Sequence, residues 1–432
     1  MSPGRPSMAG VSPALACLSI FAASLANGPS DRTTLLIAGD FQGRLAPCGC
    51  TFPMTGGIRR LATAVAGMRG SGGVFIVNGG LIDENPPNGL VGIKQSAIKA
   101  RALADSLRAM HVDAVNLGEE EVRAGRGTLQ EIEQLTDNAT ISTSLEPSAA
   151  NRLASWTARG PFLIGGITPS ADALAVLTGE TPRTSDRAAR ELADEAGRRG
   201  LAPILLFRGS EASAIALAKA VPELALIVYK GAGSAPVAPE QVGRTTLVTP
   251  GDYAKSLVRI EFDGSRFFGY RTVELTPDIA DDPKISRFYR DYLHEVDRAK
   301  LIEQLERTKT AAYAGSAACM SCHTAAYRKW KGSAHHHALA DLERQGHARD
   351  PDCLSCHVTG LSSSIGFKTR ALTPSLADVT CEGCHGPAKA HALAPRKSKL
   401  TKLTPISCVK CHSSENSPNF SFARMWPKIS HR

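Results

Sequence analysis

Eight of the eleven cysteines lie beyond residue 318, and all eight fall in one repeated pattern. It reads Cys319-Met-Ser-Cys322-His323, Cys353-Leu-Ser-Cys356-His357, Cys381-Glu-Gly-Cys384-His385 and Cys408-Val-Lys-Cys411-His412. C-x-x-C-H is the attachment motif for haem c. Two thiols add across the vinyl groups of one porphyrin, and the adjacent histidine binds the iron from one side. Four motifs predict four covalent haem c groups, with His323, His357, His385 and His412 as proximal ligands. A disulfide framework gives no reason for a histidine after every second cysteine. A zinc ribbon uses two C-x-x-C pairs per metal and needs no histidine at that spot.

Each iron has a second axial position. Six further histidines share the region: His335, His336, His337, His347, His391 and His431. Histidine on both faces gives low-spin iron without an open site, suited to electron transfer. The segment from 311 to 432 is too short to build an ordinary core around each of four haems. The porphyrins themselves are expected to be the core, held by short helices.

Charge follows the same division. The net charge is +9, and residues 311–432 hold 16 Lys and Arg against 7 Asp and Glu. The rest of the chain is balanced. Two propionates per haem offset much of that excess, which disfavours a nucleic-acid or anionic-membrane reading of the basic pI.

Haem c is attached outside the bacterial cytoplasm, so export is expected. Residues 1–26 read as a signal peptide: Arg5, an apolar stretch from Leu15 to Leu25, and the small-x-small site Ser24-Leu25-Ala26. A periplasmic mature chain without a transmembrane segment follows.

The elements that must carry these residues fall into three segments. From 33 to 275 apolar runs alternate with amphipathic stretches. Thr34–Ala38, Val74–Val77, Val112–Val115, Pro203–Phe207 and Leu224–Val228 read as strands; 93–110, 184–199 and 211–220 read as helices. This predicts an α/β domain with a largely covered sheet, closed by antiparallel strands between Leu247 and Leu275. Residues 282–310 read as a linker helix with an apolar stripe from Ile285 to Ala299 and Pro283 in its first turn. Residues 311–432 form the mainly α-helical, haem-packed domain.

The C-terminal motifs carry a resemblance. Cys319-Met-Ser-Cys-His-Thr-Ala-Ala-Tyr-Arg-Lys-Trp330, Asp350-Pro-Asp-Cys-Leu-Ser-Cys-His-Val-Thr-Gly360 and Val379-Thr-Cys-Glu-Gly-Cys-His-Gly-Pro387 resemble the tetrahaem cytochrome c-554 family. The resemblance implies His335, His337, His391 and His431 as distal ligands, with His336 and His347 outside that set.

The N-terminal segment resembles 5′-nucleotidase-type metallophosphatases with the metal ligands missing. Their first motif is D-x-H-G-x-L; here Asp40-Phe-Gln42-Gly43-Arg-Leu keeps the aspartate and loses the histidine. The second reads Val77-Asn78-Gly79-Gly80 and the third Gly118-Glu119-Glu120-Glu121; later histidine motifs fall near Phe207-Arg208-Gly209 and Tyr229-Lys230-Gly231. Too few ligands remain for a two-metal hydrolase, so a metallophosphatase-like fold with its hydrolysis lost is expected. The loop Pro47-Cys48-Gly49-Cys50 resembles a branch with P-C-G-C. Cys48 and Cys50 read as a redox-active pair, a static disulfide, or ligands to a metal or haem.

The expected function is electron transfer through four bis-His haems, with other cytochromes or a membrane quinol-linked complex as redox partners and no nucleic acid. The alternative is a redox enzyme acting on a small substrate at an open haem or at the Cys48/Cys50 dithiol.

Overall fold

Strands form where apolar and β-branched residues run together. Thr33–Ala38, Val74–Val77 and Ala202–Phe207 are buried on both faces over most of their length, as a sheet covered on both sides requires. The computed structural model describes residues 32–47, 54–146, 153–233, 235–413, 416–417 and 419–431. The expected signal peptide and the Cys48/Cys50 pair lie outside them.

Two six-stranded sheets replace the single sheet expected. The first runs, in spatial order, Phe267–Glu274, Ser256–Phe262, Thr33–Ala38, Val74–Val77, Ala114–Asn116, Thr140–Ile141. The second runs Trp156–Arg159, Phe162–Ile167, Ala202–Phe207, Leu226–Tyr229, Thr245–Val248, Glu240–Val242. The closing strands are only partly antiparallel. Ser256–Phe262 and Phe267–Glu274 are, whereas Thr245–Val248 runs parallel to Leu226–Tyr229.

Strand alternation sorts the side chains into layers. Leu35, Ile37, Val74 and Ile76 meet Phe162, Ile164, Ile204 and Leu206 between the sheets. Their neighbours Leu36, Phe75 and Val77 face outward, in one core with the helices Ile58–Met68 and Leu90–Ala109. Leu163, Leu205 and Ile227 pack instead with Ser185–Arg199 and Glu211–Ala220. The order is helix, sheet, sheet, helix.

The linker helix is Pro283–Arg298, followed by a 3-10 turn at Leu301–Gln304. Asp282 caps it, accepting from the Lys284 and Ile285 amides, with Pro283 in the first turn. Its buried stripe (Ile285, Tyr289, Tyr292, Val296) joins a core that continues into Leu339, Leu342, Leu354 and Phe367 of the haem-motif region. The described residues from 32 onward form one compact unit.

Polar groups seal this junction. The Gln95 amide donates to the Tyr292 hydroxyl (2.9 Å) and to Asp350 Oδ1 (2.6 Å), and the Tyr292 hydroxyl donates to Asp350 Oδ2 (2.9 Å). Lys99 is ion-paired with Asp352, the residue before Cys353. Burial alone would lower the Lys99 ammonium, but Asp352 and Asp350 hold it above its ordinary value.

Beyond residue 311 no described helix exceeds eight residues. From Lys389 onward Ser417 is the one described residue that is buried. No described helix is long and apolar enough to cross a membrane.

Candidate functional site

One helical turn brings a cysteine, the cysteine three residues on and the next histidine to one face. The sequence builds that turn locally. The His323 and His412 amides each donate to the carbonyl of the motif's first cysteine at 2.9 Å. Asp350 caps the helix Pro351–His357, and Thr404 with Ser407 forms a capping box for Pro405–Val409. The eight motif cysteines are unbridged.

Seven of these thiols and all four motif histidines line one continuous cavity of about 2200 Å³. That is more than twice the upper end of the ~300–1,000 Å³ usual for a single small-ligand site. The helix Phe422–Ile429 turns Phe422, Met425, Trp426 and Ile429 into it and buries none of its residues against protein. An apolar helix face with nothing packed on it fits large flat apolar groups such as porphyrins.

The histidines face each other across this space. Ring centres are 6.2 Å apart for His323 and His391, 6.2 Å for His335 and His412, and 5.9 Å for His385 and His431. An imidazole bound through one nitrogen has its ring centre roughly 3 Å from the metal, so two rings sharing an iron stand about 6 Å apart.

Second partners orient the rings. Nδ1 of His357, His385, His391 and His431 lies 2.7, 3.3, 2.7 and 2.9 Å from the carbonyls of Ala338, Thr401, Ser398 and Ile429, and His412 Nδ1 lies 3.0 Å from the Ser417 hydroxyl. A carbonyl fixes the proton on Nδ1 and leaves Nε2 bare for a metal. Burial lowers the pKa of His335, His385 and His412, keeping them neutral as iron ligation requires. These residues fit haem c.

His357 differs. Its Nδ1 is held, but no described ring stands across from it. His337, expected as a distal ligand, lies 4.9 Å from the His336 ring instead, and His336 packs at a tilt against Trp330, ring centres 4.4 Å apart. His347 is buried under the Tyr289 hydroxyl, 2.9 Å from Nε2. His347, Asp350 and Cys353 also lie close enough to hold a metal, but thioether formation at Cys353 would remove that donor.

The N-terminal cleft is built around a cation. The Arg208 guanidinium, 2% exposed, bonds Asp40 at 2.6 Å and Glu120 at 3.0 Å. Burial alone would lower its pKa, but Asp40, Glu120 and Glu121 together raise it. Gln42 donates to the other Asp40 oxygen at 2.8 Å. Lys230 is ion-paired with Glu84 and lies 3.7 Å from Glu120. Glu121 accepts from the Leu81 and Ile82 amides, yet burial, with Glu120 beside it, pushes it up to about 7. Burial and Asp40 likewise push Asp252 up to about 7. Gly80 is obligatory: at φ +73° a Cβ would stand 2.6 Å from Asp40 Oδ1. Asn78 donates to the Phe207 and Val228 carbonyls at 3.1 Å, tying the two sheets together behind the cleft.

Residues 318–386 match the family described as cytochrome c554 and c-prime. The C-terminal region is cytochrome c-554-like. It is 32% identical over 115 residues to cytochrome c-554 of Nitrosomonas europaea, a match covering 22% of this chain and 49% of that protein. The chain thus spans about half the length of that curated relative. The N-terminal part has the fold of metallophosphatases. The sulfate thiohydrolase SoxB of Thermus thermophilus, solved with glycerol, superposes with a TM-score of 0.50 at 15% identity, over 61% of this chain and 60% of that one. The NAD nucleotidase of Haemophilus influenzae gives 0.50 at 15%, over 66% and 62%. At such identity the likeness is one of fold alone.

The cytochrome c-554-like region brings together His323, His385 and His412 with His391, His431 and His335, and leaves His337 apart. Arg208 and Lys230 were visible in sequence only as missing histidines. Their role as cations among carboxylates depends on contacts far apart in the chain. Glu382, inside the third motif, is also structural: it is buried and accepts from the Ala314, Gly315 and Ala388 amides at 2.7–2.8 Å.

Proposed function

We propose that this chain is an exported, periplasmic electron-transfer protein with four haem c groups. They are attached at Cys319/Cys322, Cys353/Cys356, Cys381/Cys384 and Cys408/Cys411 and ligated proximally by His323, His357, His385 and His412. The observation that carries the reading is the three facing histidine pairs, which supply two-sided ligation for three irons. Haem c supplies a one-electron Fe(III)/Fe(II) couple; the chain positions the imidazoles along one continuous cavity. The redox partners are other electron-transfer proteins or a membrane quinol-linked complex.

The N-terminal domain acts as scaffold and not as hydrolase. A two-metal phosphatase sets divalent ions among its carboxylates to activate water. Arg208 and Lys230 put fixed positive charge there instead.

A second reading is favoured by His357, which has no ring opposite: its haem is open to a small substrate, and the protein is a redox enzyme. The Cys48/Cys50 pair is the other candidate reactive group. It lies outside the described residues, while Pro47 and Met54 on either side of it line the haem cavity.

A pyridine haemochrome assay with EPR tests these readings. Four haems per chain, at least three of them low-spin, are expected. Fewer haems would overturn the count. A high-spin signal from one haem would support the second reading, and four low-spin signals would refute it.

A further inference from the structure

From Gly383 to Ser414 the chain contains no aspartate or glutamate, while it carries Lys389, Arg396, Lys397, Lys399, Lys402 and Lys410. All six are exposed. Among the described residues, no carboxylate comes within ion-pairing distance of any of them, although such pairs hold Arg344, Arg349 and Arg370 elsewhere in the same region. The last acidic residue before the run, Glu382, is turned inward onto three backbone amides. Large apolar side chains sit among the cations in the open: Leu393 is 78% exposed, Ile406 71% and Val409 47%.

Haem propionates account for part of this charge. Lys399, Lys402 and Lys410 line the cavity, but Lys389, Arg396 and Lys397 do not. Those three are exposed. The segment also begins within the third haem motif and ends just past the fourth, so anything seated on it lies beside two attachment sites.

We infer that the surface formed by residues 389–410 is the docking site for an acidic redox protein that exchanges electrons with the haems at His385 and His412. This rests on the proposed haem-bearing function. Apolar side chains inside a basic rim match the anatomy of a transient protein interface, in which opposite charge steers encounter and a small apolar centre holds contact. The alternatives fit less well. Single-stranded nucleic acid needs aromatic rings among the cations, and residues 389–410 contain no Phe, Tyr or Trp. A membrane surface needs a sustained amphipathic helix, and the two helices here, Lys389–Leu393 and Pro405–Val409, have five residues each. In the exchange one electron passes from the reduced partner to a ferric haem, which becomes ferrous; no bond is made or broken.

The test uses the full-length holoprotein and, as probe donor, a chemically reduced acidic flavodoxin, whose flavin hydroquinone gives up one electron and becomes the semiquinone. Haem reduction is followed by stopped-flow absorbance. Arg396→Glu with Lys397→Glu is expected to lower the second-order rate at least about tenfold at low ionic strength, with the difference vanishing near 0.5 M salt, since steering of this kind is worth about 10–10³-fold and is screened. Lys219→Glu, on an exposed helix of the N-terminal domain, is expected to leave the rate unchanged. A salt-independent rate, or an equal loss from both variants, overturns the docking site. So does tight binding to anionic lipid vesicles that the double variant abolishes while electron transfer stays intact. The haemochrome spectrum is recorded first: absent haem defeats the functional reading itself, whereas intact haem with a charge-insensitive rate defeats the docking surface alone.

Discussion

Replacing Arg208 with Met tests whether the N-terminal domain depends on its internal cation. The side chain is 2% exposed and bonds two carboxylates that are 4% and 5% exposed. Met keeps much of the volume and removes the charge. Asp40 and Glu120 are then buried without their counter-ion, beside Glu121. Breaking a buried ion pair from one side costs about 3–5 kcal/mol. For a large domain roughly 2 °C follows each kcal/mol, so the thermal midpoint of the holoprotein is expected to fall by about 6–10 °C. Circular dichroism melts of wild type and variant at pH 8 provide the assay. A midpoint within 1 °C of wild type would falsify the counter-charge argument.

Glu121→Gln should behave oppositely. Its folded pKa of about 7 against an ordinary 4.5 means that stability present below pH 4.5 is lost as pH rises through 7. Denaturant titrations should show the variant gaining about 2–3 kcal/mol on wild type between pH 5 and pH 8; parallel curves would refute it. Single changes of His335, His391 and His431 to Met should each alter one low-spin EPR signal with all haems still attached, motivated by the 5.9–6.2 Å ring pairs. His337→Met should alter none, and a spectral change there would restore it as a ligand. Cys322→Ala should lower the haem count or stop maturation, and an unchanged haemochrome would exclude the first motif as an attachment site. Lys99→Met leaves the half-buried Asp352 without its partner and should cost about 1.5–3 kcal/mol; wild-type urea unfolding would show that the junction does not rest on this pair.

Legibility in the sequence followed the range of the interactions. The C-x-x-C-H motifs are complete within one helical turn, so spacing alone picks them out. The facing histidines are not, because His391 faces His323 and His335 faces His412, a crossing of chain order that only tertiary structure sets. The same limit hid the second sheet. Gly165 and Gly166 interrupt the apolar run Phe162–Ile167, and no strand is expected there from the sequence alone. In the fold they are central strand positions: a Cβ on Gly165 would stand 2.6 Å from the Thr143 hydroxyl, and one on Gly166 would stand 2.3 Å from Asn116 Oδ1. The first strands were legible because no glycine interrupts Thr33–Ala38 or Val74–Val77. Arg208 escaped because a motif search registers the histidine that is missing and not the charge that took its place.

The nearly coreless stretch from Lys389 onward bears on how the chain comes into being. A segment with almost no buried side chain of its own has little hydrophobic drive to collapse. On the proposed reading, it stays an open tail within reach of proteases until porphyrins arrive. Haem supply would then act as a check on the proposed cytochrome: a chain short of haem would keep this end unfolded.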